Sequence, residues 1–231
     1  MKLLLLFVCR SIGLFRVAQW LTRDKLKILC YHGFALADEV KFRPKMFIEA
    51  DLFEQRLATI RRYGMQVLPL AEAIEKLYGR ALPKNTITIT VDDGLHSVRK
   101  LAVPRLQRYG LPATVYVTTY YVEHPNPVFR LAVQYMFWKT RKNELVFNNV
   151  PWSTAKAIDL SDPAQKDRAT WDCIHYGERE CTEENRVALC EQLGNLLEVP
   201  YADIVRAKIL HLMTPDELRS LAAANVSVEL H

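Results

Sequence analysis

From residue 27 onward the apolar positions alternate between two spacings, one of strands and one of helices. Residues 27–34 (KILCYHGF) read as a buried strand running into Gly33. Residues 51–64 carry Leu52, Phe53, Leu57 and Ile60 at helical spacing and stop at Gly64. Residues 65–68 form a short apolar strand and 71–78 a helix. The run TITITV at 86–91 is strongly β-branched and ends at Asp92-Asp93-Gly94. Residues 96–109 read as helix, with Pro104 marking a kink or break, and Gly110-Leu111-Pro112 leads into a β-branched strand at 113–119. Strands and helices alternating at this pitch predict βαβ units, hence an α/β protein built on a parallel sheet or barrel.

The alternation then lapses. Residues 123–211 read as a mostly helical insertion. An aromatic helix is predicted over 129–140, with Tyr135, Phe137 and Trp138 as core residues, and a hairpin turns through Asn148-Asn149. Two more helical stretches follow, one starting at Thr182 with Glu183 and Glu184 behind it. Regularity resumes at Thr214-Pro215-Asp216-Glu217, the pattern of a capping box with proline at the first helical position, opening a helix to about residue 224. The last stretch, VSVELH at 226–231, reads as a strand with Val226, Val228 and Leu230 on one side.

Charge separates the first residues from the rest. The chain has 231 residues and a net charge of +5, yet residues 1–45 alone hold nine Lys/Arg against three Asp/Glu. The body is therefore close to neutral, which argues against a nucleic-acid groove. In the arm, residues 1–26, the apolar run ends at Arg10, and Arg16 breaks any 20-residue apolar span. No small-residue cleavage site follows. As a helix, the arm has Leu14, Phe15, Ala18 and Leu21 on one side and Arg16, Gln19 and Arg23 opposite. Such a basic amphipathic helix suits the surface of an anionic membrane. It equally suits a helix packed on the domain with its basic face in water, and an uncleaved signal anchor is a third reading. Five cysteines, an odd number without a CxxC pair, point to a reducing compartment. The expected location is cytoplasmic, at most peripheral on the inner membrane face.

Three predicted strands end in groups able to bind metal or move protons: His32, the Asp92-Asp93 pair, and His231. In parallel α/β folds the carboxyl ends of the strands surround a common mouth, where ligands gather. Two carboxylates and an imidazole at one rim make a divalent-metal site with a spare base, and this donor set suits zinc or a neighbouring transition metal. No cysteine is expected at a strand end, so thiolate has no part in this reading. Each piece also has a plain structural use: Asp-Asp-Gly is a common turn, and a lone histidine is often just a hydrogen-bonded side chain. His96 reads as the beginning of the next helix, and His124, His175 and His211 as surface or structural residues. A dinucleotide fold is excluded because no G-x-G-x-x-G follows a strand. Adjacent aspartates also argue against a glycosidase, whose two acids flank the scissile bond roughly 5–9 Å apart.

Taken together, these motifs resemble a known family. TVDDG at 90–94, YHGF at 31–34, the helix–strand–helix of 51–77, the turn and strand GLPATVYV at 110–117 and MTPDELRSLAAANVSVELH at 213–231 follow one another as in the polysaccharide deacetylases with a NodB-homology domain, carbohydrate esterase family 4. The resemblance implies a distorted (β/α) barrel that removes acetyl groups from a saccharide with the help of a divalent metal, zinc being expected. Carried over by position, Asp92 is the general base and Asp93 and His231 are metal ligands; His32, at its own strand end on the same rim, is read as a substrate-binding residue. The departures are Val91 in place of the usual phenylalanine, the long interval from Asp93 to His231, and the absence of the second histidine of H-[ST]-x-x-H and of the later barrel strands. The barrel is thus expected to be incomplete at the C-terminus, and the chain reads as a piece of a longer enzyme or as a shortened paralogue without hydrolysis. A non-catalytic, membrane-peripheral saccharide-binding or assembly protein stands as the alternative.

Overall fold

The computed structural model describes residues 2–146 and 150–231 of the chain. It opens with two helices, α1 (Lys2–Ser11) and α2 (Leu14–Leu21). The arm is therefore not one helix: Gly13 takes a left-handed conformation (φ 78°) and turns the chain by 76° between them. Glycine reaches that region without a Cβ clash, which is why the bend falls there.

The body is a parallel α/β structure, as the alternation predicts. Strand β1 (Lys27–Tyr31) leads to β2 (Gly33–Phe34), α3 (Glu39–Phe42), β3 (Phe47–Ile48), α4 (Ala50–Arg62), β4 (Gln66–Val67) and α5 (Leu70–Tyr78). Next come the central strand β5 (Thr86–Val91), a π-helical turn (Val98–Ala102), α6 (Val103–Tyr109) and β6 (Ala113–Val117). Pro104 sits in the first turn of α6, so the missing proline N–H ends the π-turn without breaking a helix.

The sequence reads residues 27–34 as one buried strand, and the structure divides it. β1 runs parallel to β5 from Lys27↔Ile87 to Tyr31↔Val91 and forms an edge of the sheet, with Ile28 and Cys30 exposed. Beyond His32 the chain leaves β5, and Gly33 N–H donates to Met46 O to start a separate two-stranded pairing of β2 with β3. A Cβ at Gly33 would lie 2.4 Å from the Phe47 ring, so only glycine permits this approach.

After β6 come α7 (Tyr120–Glu123) and then, within the segment 123–211 read from the sequence as an insertion, α8 (Phe129–Lys139), the antiparallel pair β7 (Glu144–Val146) and β8 (Ala157–Asp159), α9 (Pro163–Glu180), α10 (Glu183–Leu197) and α11 (Tyr201–Ala207). An antiparallel pair is present, but its register joins Val146 to Ala157 across residues 147–156, so the strands are not set by a tight turn at Asn148-Asn149, which lie outside the described residues. Thr182 caps α10 by accepting from Asn185 N–H. Tyr135 and Phe137 are core as expected, but Trp138 is more than a third exposed, lying against Phe42 and Lys139. Helix α12 (Pro215–Arg219) carries the full capping box between Thr214 and Glu217. It is shorter than the sequence suggests, giving way to a 3₁₀ turn (Ala222–Ala224) that ends on left-handed Asn225 before β9 (Val226–Leu230).

The sheet order is β1-β5-β6-β9, all parallel, with β4 also pairing with β5. Both Lys27 and Val67 partner Ile87, so β1 and β4 lie on opposite edges of β5, and β4 shares its edge with β6. Among the described residues this sheet is open, with β1 and β9 at its edges. Register divides the side chains into two sets. Tyr31, Ile87, Ile89, Val91 and Val115 face the helices, where Tyr31 packs edge-on to Phe53 of α4. Thr88, Thr90, Thr114 and Ser227 face the other way. Val226, Val228 and Leu230 share the helix-side face as expected, but only Val226 is buried.

Candidate active site

β5 is buried along its whole length and delivers Asp92-Asp93-Gly94 to the carboxyl end of the sheet. The turn is sharp because both Asp93 (φ 69°) and Gly94 (φ 73°) are left-handed. Aspartate tolerates that region better than most residues, whereas glycine at 94 is demanded twice: by its φ, and because a Cβ would lie 3.1 Å from Val117. The consequence is that the two adjacent carboxylates diverge. Asp92 turns toward β1, and Asp93 reaches across the end of β6 toward β9.

On the β9 side, Asp93 Oδ1 lies 3.9 Å from His231 Nε2. His231 N–H donates to Val117 O, extending the β6–β9 ladder by one residue, and its ring meets Tyr116 edge-on at 6.4 Å. On the β1 side, the Cys30 thiol donates to Asp92 Oδ2 at 3.1 Å, and His32 Nε2 lies 3.9 Å from the same oxygen. The Cys30 pKa is raised, first by partial burial of the thiol and then by its hydrogen bond to Asp92. The structure thus gathers Asp92, Asp93, His32 and His231 on one rim, in two pairs.

Cys30 is the residue missed in the sequence, where no cysteine was expected at a strand end. Its signal was the spacing C-x-H: two positions apart along extended chain, Cys30 and His32 share a face, and the register Cys30↔Thr90 puts that face beside Asp92. The carboxylate and imidazole of Asp93 and His231 suit a divalent cation such as zinc in charge and donor type, and 3.9 Å is close to the spacing of two ligands on one ion, about 3.3–3.5 Å.

His96 is not a rim residue. It is buried, its Nδ1 lies 2.9 Å from Glu217 Oε1, and its N–H donates to His211 O, joining the turn after β5 to the cap of α12. His211 is buried as well, and burial holds its pKa below the ordinary value.

Beside Asp93 opens a cleft of about 490 Å³, lined by Leu95, Thr118, Tyr120, Arg186 and Leu212 among others. The insertion builds its outer wall. Arg186 of α10 donates to Tyr120 OH at 3.2 Å, and Tyr120 OH donates to Glu183 at 3.0 Å. The Tyr120 pKa is raised, by desolvation first and then by the Glu183 carboxylate.

A parallel α/β sheet whose rim carries a diverging aspartate pair and two histidines places its candidate chemistry where parallel α/β enzymes hold their ligands, at the carboxyl ends of the strands. The polysaccharide deacetylase family model matches residues 79–159, the span holding TVDDG and GLPATVYV, and bears out the resemblance drawn from those motifs. No curated protein matches the chain. Similar solved structures include a de-N-acetylase from Aggregatibacter actinomycetemcomitans (16% identity, 89% of this chain and 54% of that one, TM-score 0.47). A second is the deacetylase PplD of Streptococcus pyogenes, in complex with acetate (20% identity, 74% and 81%, TM-score 0.41). A third is IcaB from Ammonifex degensii (18% identity, 87% and 97%, TM-score 0.38). The chain spans about half the length of the first of these.

Proposed function

We propose that the chain carries the site of a metal-dependent deacetylase acting on an acetylated saccharide of a polysaccharide or glycolipid precursor. The observation that carries the reading is the divergence of Asp92 and Asp93, which leaves one carboxylate to hold a cation with His231 and the other to take a proton. Asp93 and His231 would hold the ion. When bound, it supplies a Lewis acid that polarises the acetyl carbonyl and acidifies water. Asp92 accepts the proton of the attacking water as the new C–O bond forms, and that proton passes to the sugar nitrogen or oxygen as its bond to the acetyl carbon breaks, releasing acetate. Its partners His32 and Cys30 hold the carboxylate at the rim, and His32, 40% exposed, is placed to meet the sugar. Tyr120, 43% exposed on the cleft wall, offers a ring on which an apolar sugar face can rest.

The arm supports peripheral contact with an anionic membrane on the same reading. α2 buries no residue, and Phe7, Ile12, Trp20 and Leu21 are each at least 60% exposed, with Arg10 and Arg16 among them. No single described helix is long and apolar enough to cross a membrane, although α1 and α2 together, bent by 76°, have the length and composition of a broken span. The arm joins the body where Asn85 N–H donates to Arg23 O, at the amino end of the sheet. The rim lies at the other end of β5, about 20 Å away by strand rise. A membrane-bound arm would therefore leave the site mouth facing water.

The test is acetate release from N- and O-acetylated oligosaccharides by the chain loaded with zinc. Asp92→Asn is expected to slow release by about 10²–10⁴-fold with unchanged melting. Release by Asp92→Asn at the parent rate would overturn the assignment of the base.

A further inference from the structure

The rim holds a second group of donors that the deacetylase reading does not use as ligands. Cys30 Sγ, one imidazole nitrogen of His32 and one carboxylate oxygen of Asp92 all lie within 4.8 Å of one another. Two of the separations are 3.1 Å for sulfur to carboxylate and 3.9 Å for imidazole to carboxylate. Bonds of about 2.3 Å to sulfur and about 2.0–2.2 Å to nitrogen or oxygen place tetrahedral ligands roughly 3.3–3.8 Å apart, so small side-chain adjustments close the set on one ion. The backbone already favours this: parallel pairing of β1 with β5 directs the three side chains to one face at one end of the sheet. The group is open to solvent, Cys30 being exposed and His32 and Asp92 half-buried, and a hollow of about 240 Å³ lies against Cys30 and His32.

We propose that Cys30, His32 and Asp92 form a binding site for a thiophilic divalent cation of the zinc or cadmium kind, distinct from the Asp93–His231 pair. Thiolate and imidazole select such ions over magnesium or calcium, and three protein ligands leave a fourth position for water. On binding, the sulfur–metal bond replaces the S–H bond and the thiol proton passes to solvent. Occupancy also engages the Asp92 carboxylate. Resting on the function proposed above, it follows that an ion here opposes catalysis by occupying the Asp92 carboxylate that serves as base.

The experiment uses the full chain with Cys9 and Cys181 replaced by serine, titrated with cadmium or cobalt and followed by near-ultraviolet thiolate-to-metal absorption. Cys173 and Cys190 are buried and remain. The expected result is a saturable band that Cys30→Ser or Cys30→Ala abolishes, that His32→Gln shifts to at least tenfold higher metal concentration, and that Asp93→Asn retains. A band that survives loss of Cys30, or is indifferent to His32, overturns the site. In the acetate-release assay, excess zinc is expected to inhibit the parent and to spare Cys30→Ser; equal inhibition of both overturns the hold on Asp92. A parent and a Cys30→Ser variant that are both inactive at every zinc concentration would instead count against the deacetylase reading, while the absorption titration still decides the site.

Discussion

Asp92 and Asp93 are chain neighbours whose carboxylates serve opposite flanks of the sheet: Asp92 accepts from Cys30 on β1, and Asp93 lies 3.9 Å from His231 beyond β6. Two adjacent residues of an extended strand point to opposite faces by pleat alone. Here the left-handed backbone at Asp93 and Gly94 turns the second carboxylate along the rim instead of letting it fall into the helix-side core with Val91.

That backbone gives Asp93 two separable duties. Asp93→Asn keeps a residue that tolerates positive φ and removes the charge. It is expected to melt like the parent and to lose zinc-dependent acetate release. Asp93→Val forces a β-branched residue into the same conformation and should cost about 1–3 kcal/mol as well as activity. Thermal melts of the two variants side by side check this; equal melting would remove the claim that φ constrains the position.

Gly94→Ala tests the turn without touching a rim side chain. Positive φ and the close approach to Val117 both oppose a Cβ, and roughly 1–2 kcal/mol of stability is expected to be lost. Adding Val117→Ala relieves the contact but not the backbone, so it should not restore the melting temperature of a Val117→Ala single variant.

Stability should fall with acid through His211. Burial depresses its folded pKa below the ordinary 6.5, so the unfolded chain takes up its proton first as pH falls. Stability is full above that value and is lost as pH drops toward the folded pKa. Melting followed from about pH 7.5 to about pH 5.5 should decline more steeply in the parent than in His211→Gln. Glu217, whose pKa is lowered by hydrogen bonds from Thr214 N–H and His96 against the opposing effect of burial, acts in the same direction but only below its ordinary 4.5. Parallel slopes in parent and variant would exclude His211 as the source.

For the arm, vesicles containing anionic lipid are expected to retain the chain and neutral vesicles to retain it weakly. Replacing both Arg10 and Arg16 by glutamine removes about 2 kcal/mol of surface attraction, about thirtyfold in partition. Co-sedimentation of parent and variant measures it, and identical retention would leave the basic residues without this role.

Local chemistry by itself determined much of this protein. The β-branched run of 86–91 became the buried central strand, Thr182 and Thr214 became caps, and the Asp-Asp-Gly turn fell at a strand end, because each depends on residues a few positions apart. Pairing between distant segments decided the rest. Only the sheet order β1-β5-β6-β9 brings His231 to Asp93 and Cys30 to Asp92, and only register shows that Cys30, His32 and Asp92 share a face. The C-x-H spacing puts Cys30 on the face of His32, but only the pairing of β1 with β5 brings that face to Asp92. Nor does local spacing show that β1 lies at an edge, that His96 is taken up by Glu217, or that the insertion walls a cleft beside Asp93. Periodicity records which way a side chain faces; which neighbour it then meets is set by contacts across sixty residues or more, and these exist only once the strands are side by side.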